Sequence, residues 1–214
     1  MEFMTGYYRQ KEDATALLLQ QYVCRGVPVC LGCICGGESR EAGIAGGLFT
    51  GRILGEFRKL SLLRAVKQPS KCLKKVERQI YGYRQGSAIP PDFWMAGILS
   101  VEEEFLLFYE GAVKIALCNT GFGRPALYEI GGNDHMCGTG AGLQVQRGVM
   151  EAGIGVLLAS ESFYGSIPGE DMQNCLWVKE IRDSGQAQRR LGELGRMAER
   201  QGGRQMGALL LEVR

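Results

Sequence analysis

Val27-Pro28-Val29-Cys30-Leu31-Gly32-Cys33 contains no charged or hydrogen-bonding side chain beyond its thiols. A strand that shows one face to water alternates apolar and polar residues, and this run does not. It predicts a strand over 27–33 buried on both faces, in the middle of a sandwich. Residues 15–24, Thr-Ala-Leu-Leu-Leu-Gln-Gln-Tyr-Val-Cys, read as a strand before it, and Arg25-Gly26 as the turn between the two.

After Ile34-Cys35-Gly36-Gly37 the period changes. Ala42, Ala45, Phe49, Ile53, Phe57 and Leu60 recur at three- and four-residue steps, which predicts a helix over 38–65. Gly43, Gly47, Gly51 and Gly55 form a stripe on it. Interior glycine costs roughly 1 kcal/mol against alanine, so the stripe predicts close packing against a sheet or helix. Arg52 and Glu56 count against a membrane helix. A second helix is expected over 69–84, with Cys72, Val76, Ile80 and Tyr81 on one side.

Residues 93–131 read as a meander. Within it, Phe105–Tyr109 and Ala112–Cys118 flank Glu110-Gly111 in a hairpin pattern, and Ala126–Ile130 continues it. Strands follow at 142–149 and 154–159. Pro168-Gly169-Glu170-Asp171 opens a short helix to about Val178. Ser184 is placed to cap a helix over 185–201, with Gly202 at its end, and a last strand covers 206–213. Strands, two helices, strands, two helices and a strand give an α+β class: a β-sandwich covered by helices.

The 214 residues suit one sizeable domain. A net charge of +2 offers no electrostatic case for nucleic acid or an anionic membrane. No apolar run reaches the roughly 20 residues of a membrane span. The early Glu2, Arg9, Lys11, Glu12 and Asp13 do not fit a signal peptide, so a cytoplasmic protein is expected.

Eight cysteines then read as reduced thiols, mostly in apolar strands. Cys30-x2-Cys33-x-Cys35, with Cys24 upstream, is the densest group. A structural zinc site pairs two such knuckles, and no second one exists. Cys30 and Cys33 also fall on opposite faces of a regular strand. A nucleophilic role for Cys33 or Cys35 would rest on the helix start at 38 lowering a thiol pKa. The lone His135 reads as a loop or strand residue, and Gly121-Phe122-Gly123 and Gly138–Gly142 as turns.

Four stretches lie in a telling order: Arg9-Gln10-Lys11-Glu12-Asp13-Ala14, Gly32-Cys33-Ile34-Cys35-Gly36-Gly37, Gly155–Ser162, and Gly202–Val213 with Arg204-Gln205 inside it. This order resembles the metal-dependent serine/threonine protein phosphatases, the PPM or protein phosphatase 2C family. That family carries NEDA, ADGMGG, LLASDG and DN-x-T at these points. The resemblance implies a PPM-type α-β-β-α sandwich, two mainly antiparallel sheets flanked by helices, as a single domain over 1–214.

It also implies that the metal-site positions are degenerate: Glu12, Asp13, Cys33, Ile34, Glu161 and Arg204. Asp13 matches a family metal-site carboxylate. Cys33 stands for the central bridging aspartate, and a thiolate suits Mg²⁺ or Mn²⁺ poorly. Ile34 replaces a glycine beside the metals, Glu161 a further aspartate, and Ser162 a further glycine. Arg204 would bring a cation into a cation site. Phe122 replaces the acidic residue of the family's GDSR turn. Arg9 matches the phosphate-binding arginine at a spacing one residue short, with Tyr8 at the usual distance. One residue reverses side-chain direction on a strand, so which of the two faces the cleft is open.

The function implied is a pseudophosphatase that binds a protein partner, a phosphoprotein or kinase, without a cofactor, nucleic acid or membrane. The alternative is a divergent active phosphatase that uses Mn or Mg, with Asp13 and Glu161 as metal ligands and Glu12 beside them.

Overall fold

The computed structural model describes residues 3–10, 15–59, 67–86, 90–119, 126–130, 142–176 and 181–213. Glu12, Asp13, Leu60, Phe122, His135, Cys137 and residues 177–180 lie outside it, as does the side chain of Phe57. The described strands form two antiparallel sheets of five. Sheet A runs β1 (Phe3–Arg9), β10 (Gly207–Val213), β9 (Ile154–Ser160), β6 (Val113–Asn119), β7 (Ala126–Glu129). Sheet B runs β2 (Ala16–Cys24), β3 (Val27–Gly36), β4 (Trp94–Val101), β5 (Glu104–Glu110), β8 (Gln144–Val149). Helices α1 (Arg40–Lys59) and α2 (Pro69–Gln85) cover sheet B. Helices α3 (Glu161–Gly165), α4 (Gly169–Cys175) and α5 (Ser184–Arg200) cover sheet A. No described helix is long and apolar enough to cross a membrane.

Side-chain alternation sorts the apolar residues into three layers. On β3, Val29, Leu31, Cys33 and Cys35 pack under α1 and α2, while Cys30 and Ile34 face the other sheet. Between the sheets these two meet Trp94, Ile98, Leu107, Ile115, Leu158 and Leu209. Gly32 lets the sheets close: a Cβ built there would lie 2.3 Å from Leu209 Cδ2. The third layer, under α5, holds Leu191, Leu194 and Leu210. Each such buried side chain contributes roughly 1.5–3 kcal/mol.

The turn at Arg25-Gly26 is a two-residue hairpin, with φ +52° and +83°. Positive φ at both residues matches the twist of the flanking strands. The expected hairpin across Glu110-Gly111 is corrected. Strand β5 pairs with β4 and β8, whereas β6 pairs with β9 and β7 in the other sheet. Gly111, at φ +76°, carries the chain across. Both strands are buried and apolar, so pattern alone does not fix their partner.

Strand β1, outside the strands that the sequence pattern predicts, is an edge strand, and α5 covers its open edge. Ser184 Oγ accepts from Thr5 N–H at 3.1 Å. The Gln188 amide accepts from Tyr7 N–H at 2.9 Å and donates to Tyr7 C=O at 2.7 Å, replacing a strand neighbour. Asp183, not Ser184, caps α5, accepting from Gln186 N–H at 2.8 Å.

The glycine stripe of α1 is also corrected. Apart from the helix's own backbone and their chain neighbours, no described atom lies within 4 Å of a Cβ built on Gly47, Gly51 or Gly55. The glycine that packs closely is Gly46, whose Cβ would sit 2.7 Å from Cys35 Sγ. On α2 the buried residues are Leu73, Val76 and Ile80, and Tyr81 is exposed.

Candidate functional site

Register brings the four motif ends to one end of the sandwich. In sheet A, Arg9 pairs with Gly207, and Ala208 with Ala159, one residue before Ser160. In sheet B, Gly36 pairs with Trp94. The two ends coincide, because Gly36 and Gly207 both lie against Trp94 and Thr15.

An indole fills this end. A Cβ on Gly36 would be 2.8 Å from Trp94 Cζ2 and 3.3 Å from Thr15 Oγ1. One on Gly207 would be 3.1 Å from Thr15 Cγ2 and 3.3 Å from Trp94 Cη2. Both Trp94 and Thr15 are 5% exposed. Thr15 Oγ1 has no hydrogen-bond partner among the described residues. The space between the sheets is therefore closed by apolar surface at this end.

Around the plug the polar groups hold one another. Ser160 Oγ accepts from Phe163 N–H at 3.3 Å, capping α3, and from Gly207 N–H at 3.2 Å. Ser162 Oγ accepts from Arg204 N–H at 3.2 Å. Gln10 N–H donates to Met206 C=O at 3.1 Å. Glu161 N–H donates to Ala112 C=O at 2.9 Å, tying α3 to the β5–β6 crossover. Gln205 sits at φ +55°, a left-handed conformation rare for its side chain. Below, Asp92 accepts from Ser39 N–H at 2.6 Å and Ser39 Oγ–H at 3.1 Å, while Ser39 Oγ accepts from Ala42 N–H and caps α1. Burial pushes the Asp92 carboxyl up, but the Ser39 hydrogen bonds outweigh it, and its pKa falls below 3.8.

The candidate residues do not all meet here. Cys33 is fully buried in the layer under α1, turned away from the space between the sheets. Ile34 does face that space, as a fully buried core residue. The inward-facing position that reaches the end is Gly36. Glu161 and Arg204 are both at this end and exposed. Strand parity settles Arg9 against Tyr8. Phe3 packs between the sheets and Thr5 is bonded by Gln21 of sheet B, so Arg9 is on their side. Tyr8 points to the helices, against Phe163 and Gly195, with its hydroxyl donating to Glu199 at 2.5 Å.

Two divalent cations need several oxygen donors converging on one spot. Among the described residues, no three of His, Cys, Asp and Glu form such a group. Glu110 faces α2, where Arg84 binds it bidentately at 2.6–2.8 Å. That leaves Asp92, whose carboxylate is held by Ser39, and the exposed Glu161, with Arg204 beside its helix. The described donor set does not fit a two-cation centre.

The Cys30, Cys33 and Cys35 thiols are poorly placed to serve as nucleophiles. Burial pushes Cys30 and Cys35 up to about 12 and raises Cys33 well above the ordinary thiol value, with Cys35 adding repulsion. Cys30 lies on the opposite face of β3 from Cys33 and Cys35, so the three do not converge.

By sequence, no family model and no curated protein matches the chain. By structure, it matches bacterial serine/threonine phosphatases along its whole length. Stp1 from Staphylococcus aureus aligns with TM-score 0.64 and 13% identity, covering 100% of this chain and 96% of that one. PppA, a key regulatory component of the T6SS in Pseudomonas aeruginosa, aligns at 0.63 and 14%, covering 100% and 99%. The catalytic domain of PstP, solved with two manganese ions, aligns at 0.60 and 12%, covering 98% and 96%. The chain has the PPM-type phosphatase fold.

Sequence reasoning missed Trp94, Thr15 and Asp92. Trp94 and Asp92 follow Pro90-Pro91 at the entry to β4, but no spacing ties them to the motifs.

Proposed function

We propose that this chain is a pseudophosphatase: one PPM-type domain over 1–214 that binds a cytoplasmic protein partner, a phosphoprotein or kinase, without hydrolysing it. The observation that carries this reading is the end of the sandwich itself. Trp94 and Thr15 close it, and Arg9 and Arg204 stand exposed around it. Guanidinium groups suit phosphate recognition, whereas metal-assisted hydrolysis needs carboxylates. Of the positions the resemblance marks as degenerate, Glu161 and Arg204 lie at this end and support it, whereas Cys33 and Ile34 are buried in the core.

A second reading rests on Glu161. Its exposed carboxylate at this end, joined by Glu12 and Asp13, would supply part of a centre for Mn or Mg in a divergent phosphatase. Incubation with a phosphoserine peptide separates the two. The pseudophosphatase retains the peptide, more weakly in Arg9→Ala and Arg204→Ala, and releases no phosphate with any divalent cation. Mn²⁺-dependent phosphate release that is lost in Glu161→Ala would establish the second reading.

A further inference from the structure

Helix α1 turns an apolar face to solvent. Ile44 is 55% and Leu48 64% exposed, with Gly47 and Gly51 exposed between and beyond them. At 100° per residue these four fall within an arc of about 100°, opposite the buried Ala42, Gly46, Phe49 and Ile53, with the exposed Arg40 in the same arc at its N-terminal end. The remaining exposed apolar residues, such as Val23 and Val149, lie singly on other elements.

We propose that this face pairs with the same face of a second copy, with the two α1 helices antiparallel. Charge complementarity selects that occupant and that direction. Glu41 and Arg52 are both exposed and lie on one flank of the stripe, about 20° and 40° beyond Leu48. In antiparallel helices like flanks meet, and a two-fold axis repeats each contact. Glu41 of each copy therefore meets Arg52 of the other. The same register sets Ile44 of one copy beside Leu48 of the other and brings the two Gly47 residues together at the axis. Glycine there lets the backbones approach closely. Arg52 already lies 5.9 Å from the Tyr83 ring centroid, which holds its guanidinium on that flank. A parallel pair would set Glu41 against the opposite flank, and the match would be lost.

A contact of about three helical turns is small beside the ~1,200 Å² of a stable interface, so affinity in the micromolar range is expected. Sedimentation velocity on the full chain, from roughly 1 µM to 1 mM, tests the proposal. The mass should rise with concentration from 23.5 kDa toward twice that value. Leu48→Glu, at an exposed position that leaves the circular dichroism spectrum unchanged, should weaken association at least about tenfold. Glu41→Arg and Arg52→Glu should each weaken it by about threefold to tenfold, and the double charge swap should restore it. A monomer at every concentration, association unaffected by Leu48→Glu, or a double swap weaker than either single change would each overturn the proposal. The first of these would assign the face to a different partner.

Discussion

The indole of Trp94 lies so close over Gly36 that a methyl group on the glycine would stand 2.8 Å from Cζ2. The neighbours are the sheet backbone and a ring that is 5% exposed, so neither yields cheaply. Gly36→Ala should destabilise the protein by about 1–3 kcal/mol through overpacking. Urea unfolding would show this as a lower midpoint at unchanged slope. An alanine variant as stable as the unaltered chain would mean that this end of the sandwich is open.

Cys33 leads to a different expectation. A carboxylate at the family's central position would restore a metal ligand if the side chain faced the cleft. It faces the core under α1, where an aspartate finds no partner. Cys33→Asp should cost about 3–5 kcal/mol, the penalty of an uncompensated buried charge. A stable variant that gains Mn²⁺ affinity would refute the orientation.

The other thiols test the layers. Burial holds Cys30, Cys35 and Cys118 up at about 12 and raises Cys33 well above the ordinary thiol value. Cys24 and Cys72 are partly exposed. Since the thiolate is the reacting form, alkylation of the native protein followed by mass spectrometry should label Cys24 and Cys72 at least about tenfold faster. Fast labelling of Cys33 or Cys35 without unfolding would place them in an open site.

Asp92 sets an acid-side prediction. Its pKa is lower in the folded chain than its ordinary 3.8. The stabilisation it gives through Ser39 is thus fully present above 3.8 and lost as pH falls through the lower folded value. Asp92→Asn does not titrate. The stability gap between the two proteins should be constant near neutral pH and shrink below 3.8. A gap independent of pH would show that the Asp92 charge does not stabilise the fold.

Much of the fold was legible in the sequence because burial writes itself as periodicity. The apolar run of β3, the α2 range and the Ala187–Leu191–Leu194–Ala198 stripe of α5 were each readable that way. What was not legible depended on direction. The face of α1 that carries the glycines, the sheet that β6 joins and the side of β3 that Cys33 occupies all leave the local pattern unchanged. At the candidate site, motif order picked out stretches whose ends the register brings to one end of the sandwich, Glu161 and Arg204 among them but not Cys33. The parity separating Arg9 from Tyr8 came from Thr5 and Gln21, sixteen residues apart. The Trp94 plug had no motif to announce it.

Among the described residues this PPM-type fold brings no metal-binding group together, and the proposed pseudophosphatase extends that to the whole chain. Calorimetric titration of the full chain with Mn²⁺, beside Asp13→Ala and Glu161→Ala variants, tests it most directly because it includes carboxylates beyond the described residues. The unaltered protein should show no micromolar binding, and all three traces should be identical. Micromolar Mn²⁺ binding that disappears in Asp13→Ala or Glu161→Ala would contradict it.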